Sequence, residues 1–264
     1  MVRIDLNADL GEGEHVLPSD LAVLDVVTSA NIACGFHAGN SDVMRATAGE
    51  AGRRHVAVGA HVSYRDREGF GRRPVEVAPD VLVADIVEQF AHLARVAGEV
   101  GVAVTYVKPH GALYHRMCTD PEVAGAVVAA VSACGTTGGG PPPALVALAG
   151  TAVLDLAGRN GLRPAAEAYA DRAYRADGSL APRGTPGAVL DDPAAIAGRA
   201  LAIATRGRVP SVDGPEVTVA ADTICLHGDT PGAATAAAAV REALDRAGVE
   251  VRTWSGPGAR RDGR

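Results

Sequence analysis

Short runs of β-formers alternate with apolar-periodic helical stretches along this chain from end to end, and that rhythm restricts it to parallel α/β architecture. Seven runs read as strands: Arg3–Ala8, Ser29–Cys34, Ala57–Ser63, Thr105–Lys108, Ala144–Leu148, Ala166–Ala170 and Asp222–His227. Helical patterns are clearest at Asp80–Val100, Asp120–Ala133, Pro193–Thr205 and Pro231–Ala247. Three helix starts carry a cap residue followed by proline, at Asp120-Pro121, Asp192-Pro193 and Thr230-Pro231, where a missing N–H costs nothing. Gly135 to Pro143, G-T-T-G-G-G-P-P-P, reads as a flexible connector, and the Gly-, Pro- and Arg-rich end from Ser255 as a frayed tail. The alternation resumes after the connector, so residues 1–254 are expected to form a single (β/α) barrel domain and 255–264 a tail.

The strand ends choose between a barrel and an open sheet. Asp5, Asn7 and Asp9 share one face of the first run, and Ser29, Asn31, Cys34 and His37 follow the second. His61 and Ser63 close the third, Lys108 and His110 the fourth, Glu167, Tyr169 and Asp171 the sixth, His227 and Asp229 the seventh; the fifth ends blandly in A-L-A-G. All strand C-termini of a (β/α) barrel converge on one rim, where active sites lie. An open doubly wound sheet gathers such groups only near its switch point. A closed or nearly closed seven-stranded barrel is therefore expected. Polar pairs that merely fill the barrel interior are the structural alternative.

Within T-Y-V-K-P-H-G-A-L-Y, Thr105 to Tyr114, the strand brings Lys108 and His110 to the same side. Pro109 keeps Lys108 extended and Gly111 lets the chain turn. Lys108 is the one lysine in a chain whose other strong bases are arginines. Because an ammonium is compact and its pKa can be shifted, this exception points to a site residue.

Net charge is −6, with no basic block before the arginine-rich end, which argues against a nucleic-acid surface. No stretch approaches the roughly 20 apolar residues of a membrane span. The N-terminus, M-V-R-I-D-L-N-A-D-L, carries acids where a signal peptide is apolar, so a cytoplasmic protein is expected. Cys34, Cys118, Cys134 and Cys225 lack C-x-x-C spacing and read as reduced thiols.

Histidine and aspartate at converging strand ends suit either a divalent metal or proton transfer. His37, His61, His110 and His227 could each serve; a metal needs about three of them, with His37, His61 and His110 the first candidates and Asp9 an oxygen donor for the same point. The run R-D-R-E-G-F-G-R-R, Arg65 to Arg73, reads either as a solvated loop or as a lid that brings Arg65, Arg72 and Arg73 to a carboxylate or phosphate. G-D-T-P-G, Gly228 to Gly232, leads into a helix whose N-terminus suits an anion or is simply capped. Neither a G-x-x-x-x-G-K-S/T cradle nor a G-x-S-x-G elbow is present, so a nucleotide site is not announced.

D-L-N-A-D-L-G-E-G, T-S-A-N-I-A-C-G-F-H-A-G, G-A-H-V-S-Y-R-D-R-E-G-F-G-R-R, Y-V-K-P-H-G-A-L-Y, A-D-R-A-Y and A-D-T-I-C-L-H-G-D-T-P together resemble the LamB/YcsF family, in order and from Ile4 to about Gly248. Val62, Asn40 and His15 depart from the family pattern and alter loop stiffness or rim polarity. The resemblance implies a seven-stranded barrel of the glycoside hydrolase/deacetylase class. It also implies ATP-dependent opening of 5-oxo-L-proline to L-glutamate, with magnesium accompanying the nucleotide. The implied partners are 5-oxoprolinase subunits B and C, either of which could carry the ATP site. On that footing Asp9, His61, Lys108, His110 and Asp229 are the expected catalytic set. Asn7, Asn31, His37, Arg65, Arg72, Arg73, Asp171 and His227 are expected to bind substrate. Lys108→Met is expected to abolish turnover while leaving folding intact. A stand-alone metal-dependent amide hydrolase resembling the deacetylases, and a non-catalytic component that binds 5-oxoproline, are the competing expectations.

Overall fold

A computed structural model describes residues 2–138, 141–227 and 232–254. Seven parallel strands close a barrel: β1 (Arg3–Leu10), β2 (Ser29–Ala33), β3 (Ala57–Val62), β4 (Val104–Pro109), β5 (Ala144–Leu148), β6 (Pro164–Tyr169) and β9 (Thr223–His227). They pair in that order, and β9 returns to β1 with Asp9 opposite His227. All seven expected strands are present. Two short strands, β7 (Arg208–Val209) and β8 (Val217–Thr218), pair antiparallel outside the barrel, and β10 (Glu250–Val251) lies against the start of β1.

Among the described residues eight helices surround the strands: α1 (Pro18–Leu24), α2 (Ser41–Arg53), α3 (Pro79–Gly98), α4 (Gly111–Thr119), α5 (Pro121–Gly138), α6 (Ala152–Arg159), α7 (Pro193–Arg206) and α8 (Ala233–Arg246). Their starts follow local chemistry. Asn40 accepts from the Asp42 and Val43 amides at α2, and Asp192 from Ala194 and Ala195 at α7, just before Pro193. Asp120 accepts from the Glu122 amide where α4 and α5 meet, and the two helices bend there by 114°. The expected Thr230-Pro231 cap and the tail from Ser255 lie outside the described residues. The connector expected from Gly135 is shorter than the sequence implies, because α5 continues to Gly138. No single helix among the described residues is long and apolar enough to cross a membrane.

Period-two alternation sorts the strand side chains. Ile4, Leu6, Ala8 and Leu10 of β1 join the apolar layer beneath the helices, while Asp5, Asn7 and Asp9 lie on the opposite face, turned into the barrel. Along α3, Leu82, Ile86, Phe90, Leu93 and Ala97 recur at helical spacing and are buried. Each large apolar side chain buried this way contributes about 1.5–3 kcal/mol. Inside the barrel the packing is close: a Cβ added at Gly59 would come within 2.0 Å of the Tyr106 ring. Only glycine on β3 leaves room for that tyrosine.

Candidate functional site

The barrel interior is built upward from a buried floor. Asp5 accepts from the hydroxyls of Thr28 and Ser29, each at 2.7 Å, and from Thr223. Burial outweighs these bonds and raises the Asp5 carboxyl from 3.8 to about 6. One layer higher, Asn7 donates to Thr223 Oγ1 at 2.7 Å and accepts from Asn31 Nδ2 at 2.7 Å. Asn31 also donates to Asp9 Oδ1 at 2.8 Å and accepts from the Tyr106 hydroxyl at 2.7 Å.

Lys108 rises through this layer and is 1% exposed. Its Nζ lies 2.9 Å from Asp9 Oδ1, 2.8 Å from Glu167 Oε1, 3.2 Å from Asn7 Oδ1 and 3.1 Å from Cys225 Sγ. Burial disfavours the ammonium, yet Asp9, Cys225 and Glu167 more than offset it and hold Lys108 well above the ordinary lysine value. Glu167 is fixed in turn by the Tyr169 hydroxyl, 2.8 Å from Oε2. This lysine is a fixed cation at working pH, unsuited to act as a neutral amine nucleophile.

Above Lys108 three imidazoles and two carboxylates meet. His110 Nδ1 lies 3.0 Å from His61 Nε2 and 3.6 Å from Glu12 Oε1. Glu12 Oε1 is 3.3 Å from His37 Nε2 and 3.9 Å from His61 Nε2, and Asp9 Oδ2 is 3.3 Å from His61 Nε2. The His37 and His110 rings stack at 4.0 Å, 6° from parallel. Desolvation, with the neighbouring His61 and His37, pushes the His110 imidazole down to about 2, and burial followed by His61 holds His37 well below the ordinary histidine value. Glu12, His37, His61 and His110 each offer a ligand atom, all within 4.8 Å of one another.

The loop after β3 clamps this group instead of swinging over it. The Asp66 carboxylate accepts from the Gly69 amide at 3.0 Å and Arg73 Nε at 2.8 Å. Phe70 and Gly71 adopt φ of 54° and 63°, which turns the Phe70 carbonyl to His110 Nε2 at 2.8 Å and the Gly71 carbonyl to the Ala112 amide at 2.9 Å. A Cβ at Gly111 would meet Gly71 O at 2.5 Å, so the two glycine turns need each other.

Beside the histidines a cavity of about 210 Å³ opens at the carboxyl ends of the strands. Asp9, Glu12, His61, Lys108 and His110 line it, with Tyr114 and Tyr169. Arg72, Arg172 and Arg183 border it as well. Burial and the adjacent Arg183 push the Arg172 guanidinium below its ordinary value; such crowded positive charge favours an anionic guest.

The structure therefore separates the residues singled out in the sequence. Asp9, His61, Lys108, His110 and Arg72 line the cavity; His37 stands behind them, and Asn7 and Asn31 lie beneath as supports. Arg65 is held elsewhere: it pairs with Asp85 at 2.9 Å and Glu88 at 2.6 Å and stacks on Phe36 at 3.8 Å. Arg73 is occupied by Asp66. Neither reaches the cavity, which corrects the arginine-lid expectation for both. Asp171 is buried but does not line the cavity. His227 contributes its backbone to β9, and Asp229 lies outside the described residues. Glu12 was missed because Gly11, at φ 70°, ends the period-two pattern just before it. Arg172 and Arg183 were missed because they follow no strand-end pattern.

Fold and site define a class: a seven-stranded (β/α) barrel with a charged, histidine-walled cavity at its carboxyl mouth. Residues 4–258 match the LamB/YcsF family, and the chain belongs to that family. It is 50% identical over 256 residues to a protein of Mycobacterium avium (strain 104) named as the A subunit of 5-oxoprolinase, covering 96% of this chain and 100% of the relative. A Streptomyces coelicolor (strain ATCC BAA-471 / A3(2) / M145) relative of the same name is 52% identical over 250 residues, covering 94% and 98%. The crystal structure of a lactam utilization protein from Thermus thermophilus superposes with a TM-score of 0.87 at 43% identity, covering 95% of this chain and 99% of that one.

Proposed function

We propose that this chain is the A subunit of an ATP-dependent 5-oxoprolinase, and that its cavity is where the five-membered lactam of 5-oxo-L-proline is opened to L-glutamate. The observation that carries this reading is end-to-end identity of about half with relatives named as the A subunit of 5-oxoprolinase. The cavity supports it. At about 210 Å³ it is smaller than the roughly 300–1,000 Å³ of drug-sized sites and suits a molecule of amino-acid size.

A lactam is an unreactive amide, and phosphorylation of its oxygen by ATP turns that oxygen into part of a leaving group. ADP and phosphate are the other products. Water then adds to the activated carbon, the ring C–N bond breaks as nitrogen takes a proton, and a second water cleaves the resulting acyl phosphate into phosphate and the free carboxylate. The chain's own groups fit these needs. The buried ammonium of Lys108 faces charge that develops on oxygen, and the guanidinium groups of Arg72, Arg172 and Arg183 suit a carboxylate or phosphate. His110, pushed down to about 2, is a weak base near neutral pH, and Asp9, which lines the cavity beside His61, is the group placed to move a proton. The magnesium nucleotide and the partners, subunits B and C, complete the reaction in the cytoplasm; a nucleotide site on a partner accords with the small cavity.

The test is glutamate release from 5-oxoproline, with and without ATP, by this chain alone and mixed with subunits B and C. ATP-dependent release only in the mixture is expected. No release from a mixture whose B and C partners work with their own cognate A chain would overturn the reading.

A further inference from the structure

The hydrogen bonds around the three histidines fix where their protons sit. His61 Nδ1 lies 3.0 Å from the Lys108 carbonyl and His110 Nε2 lies 2.8 Å from the Phe70 carbonyl. A carbonyl only accepts, so both nitrogens carry the hydrogen. His37 Nδ1 lies 3.0 Å from Ser63 Oγ, and that hydroxyl donates its one hydrogen to the Tyr64 carbonyl at 2.9 Å. Ser63 must therefore accept, and the His37 proton is on Nδ1 as well.

With one hydrogen on each outward nitrogen, the inward nitrogens of the three rings present lone pairs to one another and to carboxylates. His61 Nε2 and His110 Nδ1 face each other at 3.0 Å, and His37 Nε2 faces Glu12 Oε1 at 3.3 Å. Lone pairs at such separations repel unless a cation lies among them. An outward N–H fixed by a carbonyl or hydroxyl, with the bare nitrogen turned inward, is the arrangement that orients histidines toward a metal. Bonds of about 2.0–2.1 Å at tetrahedral angles put donor atoms about 3.3 Å apart. Four of the separations here run from 3.0 to 3.9 Å, and all four donor atoms lie within 4.8 Å of one another.

We infer that His37 Nε2, His61 Nε2, His110 Nδ1 and Glu12 Oε1 bind one divalent first-row transition metal ion, of the zinc or cobalt type that imidazole favours. Asp9 Oδ2, 3.3 Å from His61 Nε2, stands at the edge of this group, and the cavity opens beside it. The site follows from geometry in this chain and stands or falls independently of the lactam reading.

The test is a titration of the whole chain, stripped with EDTA and returned to metal-free buffer, with Co²⁺ followed by its visible d–d absorption and with Zn²⁺ followed by calorimetry. One ion per chain is expected, with the intense cobalt band of a low-symmetry, nitrogen-rich site. His61→Asn is expected to weaken binding by at least about 100-fold, since even partners one step removed from a metal are worth about 10–100-fold. His55→Asn, at an exposed position, is expected to leave binding unchanged. Circular dichroism checks folding, and Glu12→Gln, expected to weaken binding at least about tenfold, decides the matter should His61→Asn fail to fold. Absence of stoichiometric binding, or equal affinity in wild type and Glu12→Gln, would overturn the site and leave a shared proton as the cation among the histidines.

Discussion

The floor and the mouth of the barrel are furnished with similar polar residues, yet they use them in opposite ways. At the floor, Asp5 is surrounded by three hydroxyl donors and Asn7 by complementary amide and hydroxyl groups. At the mouth, histidine lone pairs and carboxylates converge on one another, and guanidinium groups crowd a cavity. The floor is polar because it is a support: donor meets acceptor, and a side chain there is worth stability. In the reading proposed above, the mouth is polar because it receives a guest that relieves its conflicts of like with like. Lys108 joins the two levels, with Asn7 below and the Asp9 carboxylate reaching the cavity above.

That contrast is open to attack in order of size. The largest effect belongs to Lys108→Met. Removing the ammonium leaves the buried Glu167 and the half-buried Asp9 without their cation, a loss of about 3–5 kcal/mol, along with turnover. A folding cost is therefore expected of this variant, in addition to the loss of turnover. Urea unfolding should show a midpoint well below that of the wild type; an unchanged midpoint would contradict the joining role.

Asp5 comes next. Its carboxyl is raised from 3.8 to about 6, so the folded state holds a proton that the unfolded chain gives up between those values. Stability from this group is full below about pH 4 and lost as pH rises through about 6, a fall of about 3 kcal/mol at about 1.4 kcal/mol per factor of ten. Asp5→Asn should flatten the stability profile between pH 4 and 7, and parallel profiles would sink the assignment. Gly59→Ala should cost about 1–3 kcal/mol or more by driving a methyl into the Tyr106 ring, seen as a lower thermal midpoint. The smallest effect is expected of Arg65→Ala: its ion pairs with Asp85 and Glu88 are exposed and worth about 0–1 kcal/mol. Turnover should stay within about twofold of wild type, and a large loss would reinstate the arginine lid.

How much of this was legible follows from the range over which each signal acts. Period-two alternation is local, so the seven strands, the inward set on β1 and the pairing of Lys108 with His110 on one face all show in sequence. The lone lysine marked the position on which both barrel levels depend. Glu12 sits one residue beyond the turn at Gly11, where no periodicity reaches. The fate of Arg65 was decided by Asp85 and Glu88, about one helical turn apart on α3 and distant in sequence, and a charge pattern alone does not tell a lid from an ion-paired surface loop. Similarly, T-T-G reads as a connector, but α5 continues the helix to Gly138; weak local propensity does not by itself end a helix.

The most direct measurement is glutamate release by the complete 5-oxoprolinase assembly carrying His61→Asn, read beside the variant's unfolding midpoint. The account predicts turnover down by at least about 100-fold with the midpoint shifted only slightly. Normal turnover with a depressed midpoint would make the mouth another structural layer like the floor, and would contradict the account.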